Sequence, residues 1–326
     1  ERLAVPLKYW PVRHLAALPQ EPHLRRRELP VVRDEVDVIP VRPVQPLNGR
    51  DVVKPALASE APLSIVCTIF PAYDFARQLA GDTAQVRLLL PPGSESHSYE
   101  PSPRDIIDIQ QADLFLYAGG ESDHWVEEIL ASMGENAPRT FRLTDCVTLL
   151  AEETSASMEQ EAHERGQEEA EMDEHVWTSP KNAMLIVQQL CATLCDIAPQ
   201  NTQAYEGALS TYLADLKGLD AAFEETVANG KRNLIVFGDR FPFRYFAHDY
   251  HLRYDAAFPG CSEDSEPSVK TIVSLIRAIR EEQIPVVFYI EFSSRKTAAS
   301  RRSAGSSSSP TLSLMSAMAA ICFVAA

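Results

Sequence analysis

Between residues 63 and 290, short apolar runs rich in Val, Ile, Leu and Phe alternate with stretches whose apolar positions recur every three or four residues. The first pattern suits strands covered on both faces and the second suits amphipathic helices. Their alternation is what parallel strands joined by crossover helices produce. Strands are expected at Leu63 to Ile69, Val86 to Leu90, Leu114 to Ala118, Leu234 to Phe237 and Val286 to Ile290, with Arg253 to Phe258 as a further candidate. Ser102-Pro103 and Ser179-Pro180 each place a capping hydroxyl before a proline at the first helical position, where the missing amide proton costs nothing.

One stretch is different. Tyr205, Leu209, Tyr212, Leu216, Leu219, Phe223 and Val227 form a single apolar stripe between Asn201, a plausible N-cap, and the stop signal Asn229-Gly230. A helix of that length runs about 40 Å, enough to cross a small domain, and it reads as a rigid strut between two lobes. The fold class is therefore α/β: two lobes of parallel sheet flanked by helices, joined by one long rigid helix. The C-terminal lobe reads as incomplete, because fewer strands follow Asn233 than a symmetrical partner would carry.

The flanks lack this texture. Residues 1–58 hold nine prolines and eight arginines without helical or alternating pattern and read as an extended or disordered arm. Residues 59–199 then form the N-terminal lobe, 200–230 the linking helix, 231–299 the partial C-terminal lobe, and 300–326 a Ser- and Ala-rich tail. The apolar run Leu312 to Ala326 is shorter than the roughly 20 residues of a membrane-spanning helix, and no secretory signal is visible.

Charge narrows the function. With 30 basic and 46 acidic residues the chain carries a formal charge of −16, which disfavours general nucleic-acid binding. Ten acidic residues against the single Arg165 crowd Glu152 to Glu174, a run that reads as a solvated surface loop or a weak cation-attracting one containing His163. The six cysteines form no C-x-x-C pair and are too few for a disulfide scaffold. Glycine-rich nucleotide motifs, H-E-x-x-H and G-x-S-x-G are all missing, which removes sequence support for dinucleotide, ATP, zincin and α/β-hydrolase chemistry.

Two histidines remain near strand ends, where open α/β sheets bind ligands. His97 lies in the proline- and glycine-fixed loop 91–101, and His175 lies in Asp173-Glu174-His175-Val176-Trp177-Thr178-Ser179-Pro180. A rigidly placed imidazole suits metal ligation, and a hydrogen-bonded structural histidine is the alternative for each. His124, His248 and His251 have no motif around them and read as surface or satisfied polar residues.

Taken together, "IVCTIFPAYDFARQLAGD", "LLLPPGSESHSYEPSPRDI", "ADLFLYAGG", "DEHVWTSPKNA" and "FRYFAHDYHL" resemble the metal-binding solute receptors of zinc and manganese ABC transporters, over Leu63 to Lys296. The resemblance implies one divalent metal held between the lobes, with His97 and His175 as ligands from the N-lobe. The family's third ligand falls at Arg240, whose guanidinium cannot coordinate a cation, so the adjacent Asp239 takes that place, with an ion pair to Arg240 as its other reading. Glu291 stands as a substitute for the fourth, with a structural role as the alternative.

Zinc is the expected ion and manganese the second choice, since nitrogen-containing sites favour zinc. The implied partners are a membrane permease and its ATPase subunit. The implied address is extracytoplasmic, periplasmic or cell-surface anchored; the receptor is expected to be a monomer and to carry out no covalent chemistry. Competing readings are a zinc hydrolase using the same residues, with Glu100 or Glu174 as general base, and an acidic binding or adhesion module.

Overall fold

The computed structural model describes residues 62–91, 94, 99–152, 171–258, 260 and 267–288. His97, Glu291, the arm 1–58 and the tail 300–326 lie outside them, as does most of the acidic run, His163 included.

Four strands, β1 (Leu63–Cys67), β2 (Ala84–Leu88), β3 (Leu114–Tyr117) and β4 (Arg139–Arg142), form one parallel sheet in the order β2-β1-β3-β4. The crossovers are α1 (Phe70–Ala80), α2 (Pro103–Gln111) and α3 (His124–Met133). Alternation along each strand feeds two cores. Ile65, Cys67, Leu114 and Leu116 face Phe75, Leu79 and the later helices, whereas Val66, Phe115 and Tyr117 face Ile109, Val126 and Met133. Both faces are covered, as parallel sheets require.

The chain leaves β1 in one direction and returns past it to β3, so the strand order reverses between β1 and β3. The crevice outside the carboxyl ends of these two strands is the place where doubly wound sheets receive ligands.

The helix starts agree with the sequence. Ser102 caps α2 in a full capping box with Asp105, and Ser179 accepts from the Lys181 and Asn182 amides at the start of α4 (Pro180–Ile197). The long helix α5 spans Thr202–Ala228, with Asn201 and Asn229 at its ends. Its stripe divides between two cores: Tyr205, Leu209, Tyr212 and Leu216 pack into the first lobe, and Leu219, Phe223 and Val227 into the second.

The second lobe holds β5 (Leu234–Arg240) and β6 (Arg253–Phe258), a parallel pair flanked by α6 (Arg244–Asp249) and α7 (Val269–Glu281). Within the strand expected at Val286 to Ile290, Phe288 makes a parallel bridge to Phe237, and the last two residues of that span lie outside the described ones. Two differences from the sequence reading stand out. β4 was not expected, because Phe141 is its one buried residue and a four-residue edge strand leaves almost no apolar signal. β5 continues three residues past Phe237, with a register shift before Arg240, because Gly238-Asp239-Arg240 is held by backbone pairing rather than by apolar content. Among the described residues no helix is long and apolar enough to cross a membrane.

Candidate metal centre

The crevice between β1 and β3 is built around a buried carboxylate. Asp123 accepts from the Ala118 amide at 2.6 Å, the Gly119 amide at 3.1 Å and the Thr68 hydroxyl at 3.5 Å, which ties the exits of both strands to one side chain. Burial pushes its pKa up; the Gly119 and Ala118 amides and Thr68 pull it down and nearby Glu174 pushes it further, leaving it at about 6. Glu174 takes the Ser122 amide at 3.0 Å and the Ser122 hydroxyl as donors. It fits because residue 120 is glycine: a Cβ there would stand 2.1 Å from a Glu174 carboxylate oxygen.

These contacts anchor the segment that carries His175 against the crevice. Asp173 donates its amide to the Leu150 carbonyl at 2.9 Å, beside an antiparallel bridge between Ala151 and Met172 that closes the base of the acidic run. One oxygen of the Asp173 carboxylate then accepts twice, from the His175 amide at 2.7 Å and from its ring Nδ1 at 3.0 Å. Trp177 packs on the imidazole with ring centroids 5.4 Å apart, and Asp173 and His175 are 2% and 6% exposed. With Nδ1–H donated to Asp173, a neutral imidazole carries its lone pair on Nε2, the arrangement that carboxylate-oriented metal ligands use. Burial opposes the charged ring, yet Asp173, Glu174 and Glu152 outweigh it and hold the His175 pKa above its ordinary 6.5. The surroundings favour positive charge, whether brought by a proton or by a cation.

Asp239 lies at the far end of β5, 6% exposed, and its carboxylate accepts from the Arg240 amide at 2.8 Å. The exit of β5 approaches the His175 segment at Gly260. A Cβ there would sit 2.9 Å from the Phe241 carbonyl, 3.3 Å from the Asp173 carboxylate and 3.4 Å from that of Glu152, so only glycine lets the two lobes meet this closely. Among the described residues no group of three or more His, Cys, Asp or Glu is arranged to hold a metal ion. Of the four residues singled out from the sequence, His175 and Asp239 are described and buried, and His97 and Glu291 lie outside the described residues. His124, His248 and His251 are exposed.

Sequence reasoning missed the role of Asp173. An acidic residue two positions before a histidine is the spacing at which a side chain bonds the backbone two residues on, and that signal was available. Glu174, considered as a general base, is engaged by Ser122, and Glu100, the other such candidate, is exposed.

The family model described as zinc-uptake complex component A, periplasmic, matches residues 65–318. The chain belongs to this family. It is 32% identical over 242 residues to the zinc-binding lipoprotein AdcA of Streptococcus pneumoniae, covering 74% of this chain and 47% of that one. It is 30% identical over 236 residues to the high-affinity zinc uptake system protein ZnuA of Bacillus subtilis, covering 72% and 73%. The chain thus spans about half the length of the AdcA relatives it matches. The crystal structure of the Zn(II)-bound ZnuA-like domain of Streptococcus pneumoniae AdcA superposes with a TM-score of 0.60 at 31% identity, over 74% of this chain and 84% of that one. That match supports the two-lobed family fold for the chain.

Proposed function

We propose that this chain captures a zinc ion in the crevice between its lobes and delivers it to a membrane permease driven by a separate ATPase subunit. The observation that carries the reading is the buried Asp173–His175 pair at the strand-order reversal, which presents a histidine with a fixed tautomer in surroundings that favour a cation. His97, from the loop after β2, supplies a second imidazole, and Asp239 and Glu291 bring carboxylates from the second lobe. Nitrogen ligands favour zinc over manganese under the Irving–Williams order. A zinc-binding lipoprotein, a zinc uptake protein and a Zn(II)-bound domain among the matched relatives support the same ion.

Capture and release need no bond to be made or broken in a substrate, so the chain works as a receptor rather than as an enzyme, and since one chain carries both lobes of the crevice it needs no second copy to do so. Its place is outside the cytoplasm, in keeping with a periplasmic family and a lipoprotein relative. The lobes 59–199 and 231–299 flank the helix 200–230 and close on the ion.

The test is a zinc titration against a chromophoric chelator, with the parent chain beside His97→Ala, His175→Ala and Asp239→Ala. One tight site per chain is expected, lost in both histidine variants and weakened in Asp239→Ala. Several weak ions that survive both histidine changes would mean that the acidic surface, not the crevice, holds the metal.

A further inference from the structure

Helix α6 belongs to the second lobe, yet it grips the His175 segment at both ends. Tyr245 and Asp249, four residues apart and so on one face of the helix, make the two contacts. The Tyr245 hydroxyl donates to the Asp173 carbonyl at 2.7 Å and accepts from the Leu150 amide at 3.2 Å. The Ser179 hydroxyl, which also caps α4, donates to the Asp249 carboxylate. Asp173 lies two residues before the imidazole and Ser179 four residues after it. Tyr245 is 2% exposed and packs in the core cluster of the first lobe, so its ring is already committed there. Phenylalanine would serve that packing. The hydroxyl does something different, because it fixes the main chain of the residue whose carboxylate sets the His175 ring.

We propose that Tyr245 and Asp249 are positioning residues that make the orientation and tautomer of the His175 imidazole depend on how α6 is seated against the first lobe. This rests on the receptor reading, in which His175 is a ligand. Tyr245 holds Asp173; Asp173 holds Nδ1–H; Nε2 then points its lone pair one way. Loosening α6 lowers the affinity of the crevice through the His175 imidazole, so movement of the second lobe weakens the first lobe's ligand as well as withdrawing its own carboxylates.

The experiment uses the 15N-labelled full chain as parent, Tyr245→Phe and Asp249→Ala. The control is Tyr212→Phe, whose hydroxyl meets Asp74 at 3.4 Å on the contact between α1 and α5. Ring 15N shifts of His175, assigned with His175→Gln, report the tautomer of the metal-free protein in mildly alkaline buffer, and chelator competition reports zinc affinity. Expected are a single Nδ1–H tautomer in the parent and control and a mixture of tautomers in both α6 variants, with zinc held about tenfold more weakly. Unchanged His175 shifts in both variants overturn the proposal, as does an equal change in the control, which would signal general loosening. If Tyr245→Phe fails to fold, the His175 shifts of Asp249→Ala decide. A parent that takes up no zinc defeats the receptor reading, and the metal-free shifts still decide the role of α6.

Discussion

Asp123 is the residue on which the crevice leans most, and its protonation gives a signed expectation. Its pKa rises from the ordinary carboxylate range to about 6 in the folded chain, so between roughly pH 4 and pH 6 the folded state holds a proton that the unfolded state has lost. Stability contributed by this group therefore falls as pH rises through that window, by on the order of 2 to 3 kcal/mol, and levels off above it. Asp123→Asn keeps an acceptor for the Ala118 and Gly119 amides and cannot ionise. Urea melts at several pH values are expected to show a flatter profile for it than for the parent over pH 4 to 6; an equally steep profile would assign the dependence to other carboxylates. At this scale the sequence was informative about residue types and silent about partners. The Asp173-Glu174-His175 run marked a site, but nothing in it says that the first carboxylate turns to the imidazole and the second to Ser122, fifty-two positions away.

Among the elements, α5 was the most legible. A stripe that repeats every three or four residues from Tyr205 to Val227, about six turns, can hardly be anything but a helix, and the residues at both ends were readable, although the Asn201 side chain makes no capping bond. Its two interior glycines, Gly207 and Gly218, are exposed and have no neighbouring atom within 4 Å of where a Cβ would stand. Replacing either with alanine is expected to stabilise the chain by about 0.5 to 1 kcal/mol, through lower backbone entropy in the unfolded state, seen as a higher urea midpoint with unchanged slope. Gly218→Pro should cost about 3 kcal/mol or more by breaking the helix between the two cores. The least legible elements were β4 and the bulged end of β5. Both are held by pairing with neighbours distant in sequence rather than by their own apolar pattern, which is why periodicity could not find them.

The two lobes share α5 and meet again through α6, and this couples their stabilities. Zinc at a hundred times its dissociation constant is expected to add about 2.7 kcal/mol to folding, and the gain should appear in both lobes. Hydrogen exchange provides the check: amides of β3 and of β5 should gain protection together on adding zinc, whereas protection confined to β3 would show that the lobes open independently. Taken by itself, the sequence determined the alternation of strands and helices, the strut, the helix starts at Pro103 and Pro180, and the placing of His175 just ahead of the second of these starts, because each of these is written in local spacing and capping chemistry. The strand order, and with it the crevice between β1 and β3, was decided by tertiary structure, as were the carboxylate that orients His175 and the grip of α6 on its segment. Those depend on contacts between residues up to ninety-five positions apart, such as Leu150 with Tyr245, and no local pattern encodes which distant partner a buried polar group will find.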